Sequence, residues 1–209
     1  MSFVLPVLLI AIILIPALAY SSYSERLRFQ KIEAALRDLN GKLLLELEIP
    51  AISFLPSTFP SLKGEVQNKF FSIFIESTHK NKSLVIQVEL PETDDFNFCL
   101  REQTGLDNVG IFAGEKDIEI GDPVFDRKFF VSSNQPESIR AILMNATIRK
   151  FALDNYTIFE KGIINFEKGK LQYRHYSPLF VLNNKDKTLQ IIEFMTILSD
   201  CIRHNSKTI

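Results

Sequence analysis

Tryptophan is absent, and only two cysteines, three histidines and eight glycines occur among the 209 residues. Cys99 and Cys201 stand far apart and match no metal or redox spacing, so they read as two buried thiols of a chain kept in a reducing compartment. A disulfide between them requires the opposite location. His79, His175 and His204 occur singly, which speaks against a metal cluster. The glycine-bearing signatures of phosphate loops and dinucleotide folds are missing, as are H-E-x-x-H and G-x-S-x-G, and with them go the common enzymes that use those motifs. The formal charge is only −1, so no global field recruits nucleic acid or an acidic substrate. No cofactor is expected.

What the chain does have is a long apolar run. "FVLPVLLIAIILIPALAY" begins at Phe3 and reaches Tyr20 without a charge. As a helix it covers about 27 Å, just enough to span a bilayer core. A secretory signal carries Lys or Arg before a shorter apolar stretch, whereas here only the α-amino group lies upstream. Ala17-Leu18-Ala19 and Pro16 supply the alternative, a cleavage site. Arg26, Arg28, Lys31, Arg37 and Lys42 follow the run, and the positive-inside rule keeps such a flank in the cytoplasm. The expectation is a single-pass anchor over residues 1–22 with the bulk of the chain on the cytoplasmic side.

Residues 23–41 read as a juxtamembrane helix, with Leu27, Ile32, Leu36 and Leu39 at helical spacing and Asn40-Gly41 as a C-cap. Pro50, Pro56 and Pro60 make residues 42–64 a linker or covering loop, whose Ile52, Phe54, Leu55 and Phe59 pack on the domain or dip into the membrane surface. An α+β domain is expected over residues 65–209. "FFSIFIES", "SLVIQVEL" and "FNFCLRE" alternate with period two and suggest three strands in an antiparallel meander with one buried face. "EIGDPVFDRKFFVSS" supplies two short strands around a turn, and "NQPESIRAILMNATIRKFALDN" a helix opened by Pro136. "YTIFEKGIINFEKGKLQYRHY" follows as strands broken at Lys161-Gly162 and Lys168-Gly169. A helix from Lys185 to His204 carries the stripe Ile191, Phe194, Met195 and Leu198. Without βαβ alternation the pattern is α+β, an antiparallel sheet packed against two helices.

For chemistry, Asp122 and Asp126 in "GDPVFDRKFF" are the pair to weigh, because a tight turn could present two carboxylates and Arg127 at one sheet edge for acid and base work. The structural alternative has Asp122 closing the turn, Phe125 in the core and Asp126 bonded to nearby backbone. Asp94-Asp95 reads as a turn. Lys161, Lys168, Lys170, Arg174 and His175, with Tyr173 and Tyr176 interleaved, make one basic hairpin, which reads as a solvated face or a contact for anionic headgroups; Glu160 and Glu167 interrupt it, and nucleic-acid binding is not expected. The 18 phenylalanines are core residues or the lining of a groove for an acyl chain.

Gly121, Asp122, Phe125, Asp126, Phe129 and Val131 form a stretch GD-x-x-FD-x-x-F-x-V, followed by a helix and the strand pair "IFEKGIINFEKGKLQY". The segment from Ile118 to Tyr173, with the placement of the anchor and last helix, resembles an uncharacterised bacterial family of membrane-anchored proteins of unknown function. That resemblance implies an architecture and a membrane location, and no active site. The leading expectation is a tethered interaction module whose partners are the bilayer and a membrane protein. The alternatives are a membrane-associated hydrolase or transferase using Asp122, Asp126 and Arg127, and a lipid or acyl-chain binding domain.

Overall fold

Period-two alternation in the middle of the chain produces eight strands that hydrogen-bond into one sheet. They are β1 (Glu46–Glu48), β2 (Ser61–Val66), β3 (Lys69–Ser77), β4 (Lys82–Glu89), β5 (Phe98–Glu102), β6 (Phe129–Ser133), β7 (Gly162–Glu167) and β8 (Lys170–His175). Their order is β1-β2-β3-β4-β8-β7-β5-β6, and every neighbouring pair is antiparallel. The structure, a computed structural model, describes residues 4–50, 59–78, 81–91, 95–104 and 116–205, with side chains at residue 20 and from residue 22 onward. Two hairpins turn on two residues with positive φ, Gln67 (51°) with Asn68 (61°) and Lys168 (51°) with Gly169 (71°). That primed geometry matches the right-handed twist of the strands it joins.

One face of the sheet is apolar and continuous. Phe71, Ile73, Ile86, Val88, Leu171, Tyr173, Ile164, Phe166, Leu100 and Val131 are buried there in cross-strand register. The helices lie on it: α1 (Val4–Leu43), α2 (Pro123–Asp126), α3 (Pro136–Leu143), α4 (Ala146–Asp154), α5 (Pro178–Leu182) and α6 (Lys185–Asn205). Proline opens α2, α3 and α5, where its missing N–H costs nothing and its fixed φ suits the first turn. In α6 the stripe Ile191, Phe194, Met195, Leu198 and Ile202 is buried, and Lys69 at the start of β3 pairs with Asp200 at 2.9 Å. Phenylalanine rings carry the core from element to element, with Phe125–Phe129 centroids at 4.4 Å, Phe129–Phe159 at 4.9 Å and Phe159–Phe194 at 5.3 Å.

The α+β class and the antiparallel sheet are as the alternation implies, and several particulars differ. β4 and β5 are not neighbours, because the late hairpin β7–β8 inserts between them; alternation specifies which face is buried, not which strand lies alongside. The "EIGDPVFDRKFFVSS" stretch forms α2 and one strand, not two strands. The helix expected after Pro136 breaks at Met144-Asn145, where the Asn145 side chain accepts from the Thr147 N–H at 2.9 Å and caps a new helix. Strands β1 and the start of β2 fall inside the stretch expected as a loop.

Helix α1 continues without interruption to Leu43, and Phe29, Ile32, Leu36 and Leu39 are buried in the same hydrophobic cluster as the sheet. Each such side chain contributes about 1.5–3 kcal/mol on burial. Lys185 on α6 pairs with Asp38 at 2.5 Å and adds a polar tie. The segment read as a juxtamembrane helix is thus packed on the domain. Among the described residues no helix is long and apolar enough to cross a membrane; the side chains of the expected anchor, up to residue 19, lie outside those described. Ile52, Phe54, Leu55, His79 and Asp94 also lie outside them, and Phe59 is buried against Phe29 at 6.2 Å.

Candidate functional site

Asp122, Asp126 and Arg127 come together around α2, and their polar atoms are engaged by backbone. Asp122 accepts from the N–H groups of Val124 (2.9 Å) and Phe125 (3.2 Å), and Arg149 approaches it at 3.2 Å. The Phe125 and Val124 N–H bonds, with the Arg149 charge a smaller contribution, hold its carboxyl below the usual carboxylate range. Asp126 accepts from the N–H groups of Ile120 (2.9 Å) and Gly121 (3.1 Å), and Gly121 takes the φ of 92° that glycine tolerates. Arg127 donates from Nε to the Pro123 carbonyl at 2.9 Å. This is a cap and a tied turn.

The basic hairpin divides between the two faces of the sheet. Tyr173 and His175 point to the helices, with Tyr173 donating to the Ile158 carbonyl at 2.8 Å, while Gln172 and Arg174 share the open face and Arg174 pairs with Glu76. Aromatic and basic side chains therefore do not form one stacking platform. Gly162, opposite His175 and one hairpin turn from Tyr173, leaves room for that ring, since a Cβ there would lie 2.7 Å from the Tyr173 hydroxyl. Cys99 and Cys201 are not joined in a disulfide, and burial pushes the Cys201 thiol up, assisted by the neighbouring Asp200 charge. Among the described residues no three of His, Cys, Asp or Glu gather as metal ligands would.

A cleft of about 600 Å³ with both apolar and ionised lining lies where α1, the β3–β4 turn and the start of α5 meet. Helix α1 contributes Glu25, Arg28 and Ile32, three residues of one helical face. The β3–β4 turn, closed by the Thr78 N–H donating to the Asn81 carbonyl at 2.9 Å, presents Lys82. The chain after β8 adds Tyr176, Pro178, Leu179 and Phe180. The wall is apolar and the rim is ionised: Glu25 pairs both with Arg28, at 3.1 Å, and with Lys82. Two cations share one carboxylate, so the rim holds one positive charge in excess.

Beneath the cleft lies His175, buried and stacked between Tyr173 (6.4 Å) and Phe180 (5.7 Å). Nδ1 accepts from the Ser177 N–H at 3.0 Å, which leaves Nε2 to donate to the Glu160 carbonyl at 3.2 Å. Both bonds are satisfied by one neutral tautomer. Burial first, then the Lys187 and Lys161 charges, push the imidazole below its ordinary value, against the opposing bond to Glu160. Lys187 is only 6 % exposed, and its ammonium stands 4.7 Å over the Phe180 ring with no ion pair among the described residues. Burial drives its pKa down. Phe180 itself is 57 % exposed, an aromatic lip held from below by an imidazole and an ammonium.

Sequence reasoning missed this cleft. Its residues come from three segments separated by dozens of positions, and the only local signal was the exposed pairing of Tyr176 and Phe180 around Pro178 at a helix start.

No family model matches the chain, and no curated protein matches its sequence. Among solved structures, the crystal structure of the mycobacterial trehalose monomycolate transport factor A, TtfA, is similar, with a TM-score of 0.57 at 11 % sequence identity over 82 % of this chain and 94 % of that one. At that identity the likeness is one of fold: the α+β arrangement of this chain is shared with a known structure.

Proposed function

We propose that the protein is a membrane-tethered binding domain whose cleft receives the chain of an anionic amphiphile. The observation that carries this reading is the cleft itself, an apolar wall of Ile32, Leu179 and Phe180 under a rim where Arg28 and Lys82 outnumber Glu25. A volume of about 600 Å³ falls in the range of ligand pockets. An apolar chain replaces water on the wall, and an anionic head completes the ionic rim.

Other observations support the membrane setting. Glu25 stands five residues after Tyr20, the end of the apolar run, so the cleft opens about 7.5 Å along α1 from it. Tyr20 and Tyr23 are exposed there, the kind of side chain that favours the membrane–water interface. The basic flank of α1 and two cysteines not joined in a disulfide support a cytoplasmic location for the domain. The related fold belongs to a protein named as a transport factor for trehalose monomycolate, and by analogy the ligand here is a lipid that the domain holds or passes on. The three residues Asp122, Asp126 and Arg127 serve α2 in this reading.

The test is titration of the full-length chain in mild detergent with palmitate and with lysophosphatidylglycerol, followed by native mass spectrometry. Saturable one-to-one binding is expected, weakened about tenfold by Phe180→Ser and by Lys82→Glu. Binding that is equal in both variants and the parent chain sinks the assignment.

A further inference from the structure

The open face of the sheet carries a second feature, built from different residues. Ser72, Gln87, Gln172, Asn165, Cys99 and Ser132 are register partners in succession across β3, β4, β8, β7, β5 and β6. Six polar side chains thus stand in one transverse row, about 24 Å long at the usual strand spacing. The Gln172 amide donates to Gln87 at 2.7 Å, whereas the side chains of Asn165 and Ser132 have no hydrogen-bond partner among the described residues. A groove of about 930 Å³ runs over the β8 to β6 part of this row and is lined by Cys99, Ser132, Asn165 and Gln172 together with Lys116, Lys168, Lys170 and Arg174. Among the described residues, the one carboxylate in its lining is Glu167. Lys168 lies 3.6 Å from it and Arg174 is tied to Glu76, but Lys116 and Lys170 have no ion pair among the described residues.

We infer that this groove is a binding site for a soluble anionic polyol, a sugar phosphate or sugar acid. Each amide or hydroxyl of the row offers both a donor and an acceptor, the match for a ligand hydroxyl. An apolar occupant would leave those groups unpaired at a cost that a hydroxylated one avoids. The surplus of cations selects negative charge, and Lys116 and Lys170 are the groups left to take it. A single-stranded nucleic acid would need open ring faces along the groove, whereas of the aromatics in the adjoining rows Phe130 is buried under the Arg101 guanidinium at 4.0 Å and Phe70 and Phe74, on β3, are not among the residues that line it. None of the exposed large apolar side chains among the described residues lines the groove, so nothing in it inserts into a bilayer.

The experiment titrates the full-length chain in detergent with glucose 6-phosphate and glucuronate, with glucose, inorganic phosphate and phosphatidylinositol vesicles as separate arms. The charged sugars are expected to saturate, with glucose and phosphate each about tenfold weaker or more. Lys170→Gln, at an exposed position that leaves the fold alone, and Asn165→Ala each lower the affinity at least about fivefold, while Phe180→Ser in the cleft does not. Saturation by neither charged sugar up to roughly 10 mM overturns the inference. So does phosphate binding as tightly as glucose 6-phosphate, binding confined to the vesicles, or indifference to Lys170→Gln.

Discussion

His175 holds two backbone groups that only its neutral form can satisfy together, the Ser177 N–H at Nδ1 and the Glu160 carbonyl at Nε2. Protonation would put a second donor against the Ser177 N–H in a site that already contains the Lys187 ammonium and the Lys161 charge, with the Glu160 side the compensating one. The folded pKa is depressed below the unfolded value of 6.5, so the unfolded chain binds more protons as pH falls. Stability tied to this residue is complete above pH 6.5 and is lost as pH drops through the lower folded value. Thermal unfolding followed from pH 7.5 downward is therefore expected to show a fall that His175→Gln flattens; parallel curves for the two chains would refute the assignment. Because Phe180 rests on this ring, the same acidification is expected to loosen the cleft's lip.

Elements end where a local conflict forces them to, and α1 shows this. The Asn40-Gly41 signal promised a stop there, but the helix continues to Leu43 and Leu44 takes the left-handed position, φ 55°. Asn40 still contributes, accepting from the Leu45 N–H at 2.6 Å. A non-glycine residue in that conformation costs about 1–2 kcal/mol, and Leu44 recovers little by packing because it is 87 % exposed. Leu44→Gly is expected to stabilise the fold by about 0.5–1 kcal/mol, read as a rise in the denaturation midpoint; a fall would mean that Leu44 makes a contact not seen here. At this scale most strands and the last helix were legible, because period two in "SLVIQVEL" and the 191-194-195-198 stripe are direct consequences of burying one face. The break at Asn145 was not, since the apolar spacing runs on across a capping residue that is also an ordinary surface residue.

For the whole molecule, the question is how much of the chain the domain needs. Burial on α1 includes Ser22 and the stripe from Phe29 to Leu39, so the sheet's apolar face depends on the second half of that helix. Removing residues 1–19 is expected to leave a cooperatively folding domain with an unfolding midpoint within about 3 °C of the full chain, whereas removing residues 1–42 exposes the core and abolishes cooperative unfolding. Circular dichroism of the two truncations, made with detergent present, decides it, and a folded shorter truncation product lacking α1 would overturn the packing described. The cleft and the groove were illegible in sequence for a related reason: each gathers residues from segments whose adjacency is settled only by strand order. That order also sets a timetable. The hairpin β7–β8, near the end of the chain, is the bridge between β4 and β5. Glu89 and Lys170 are 81 positions apart (170 − 89), so during synthesis the inner edge of β4 waits roughly 4–16 s for its partner. An unpaired hydrophobic strand edge invites pairing with another nascent chain, so production of this protein is expected to depend on translation rate and on holding chaperones more than its final stability would suggest.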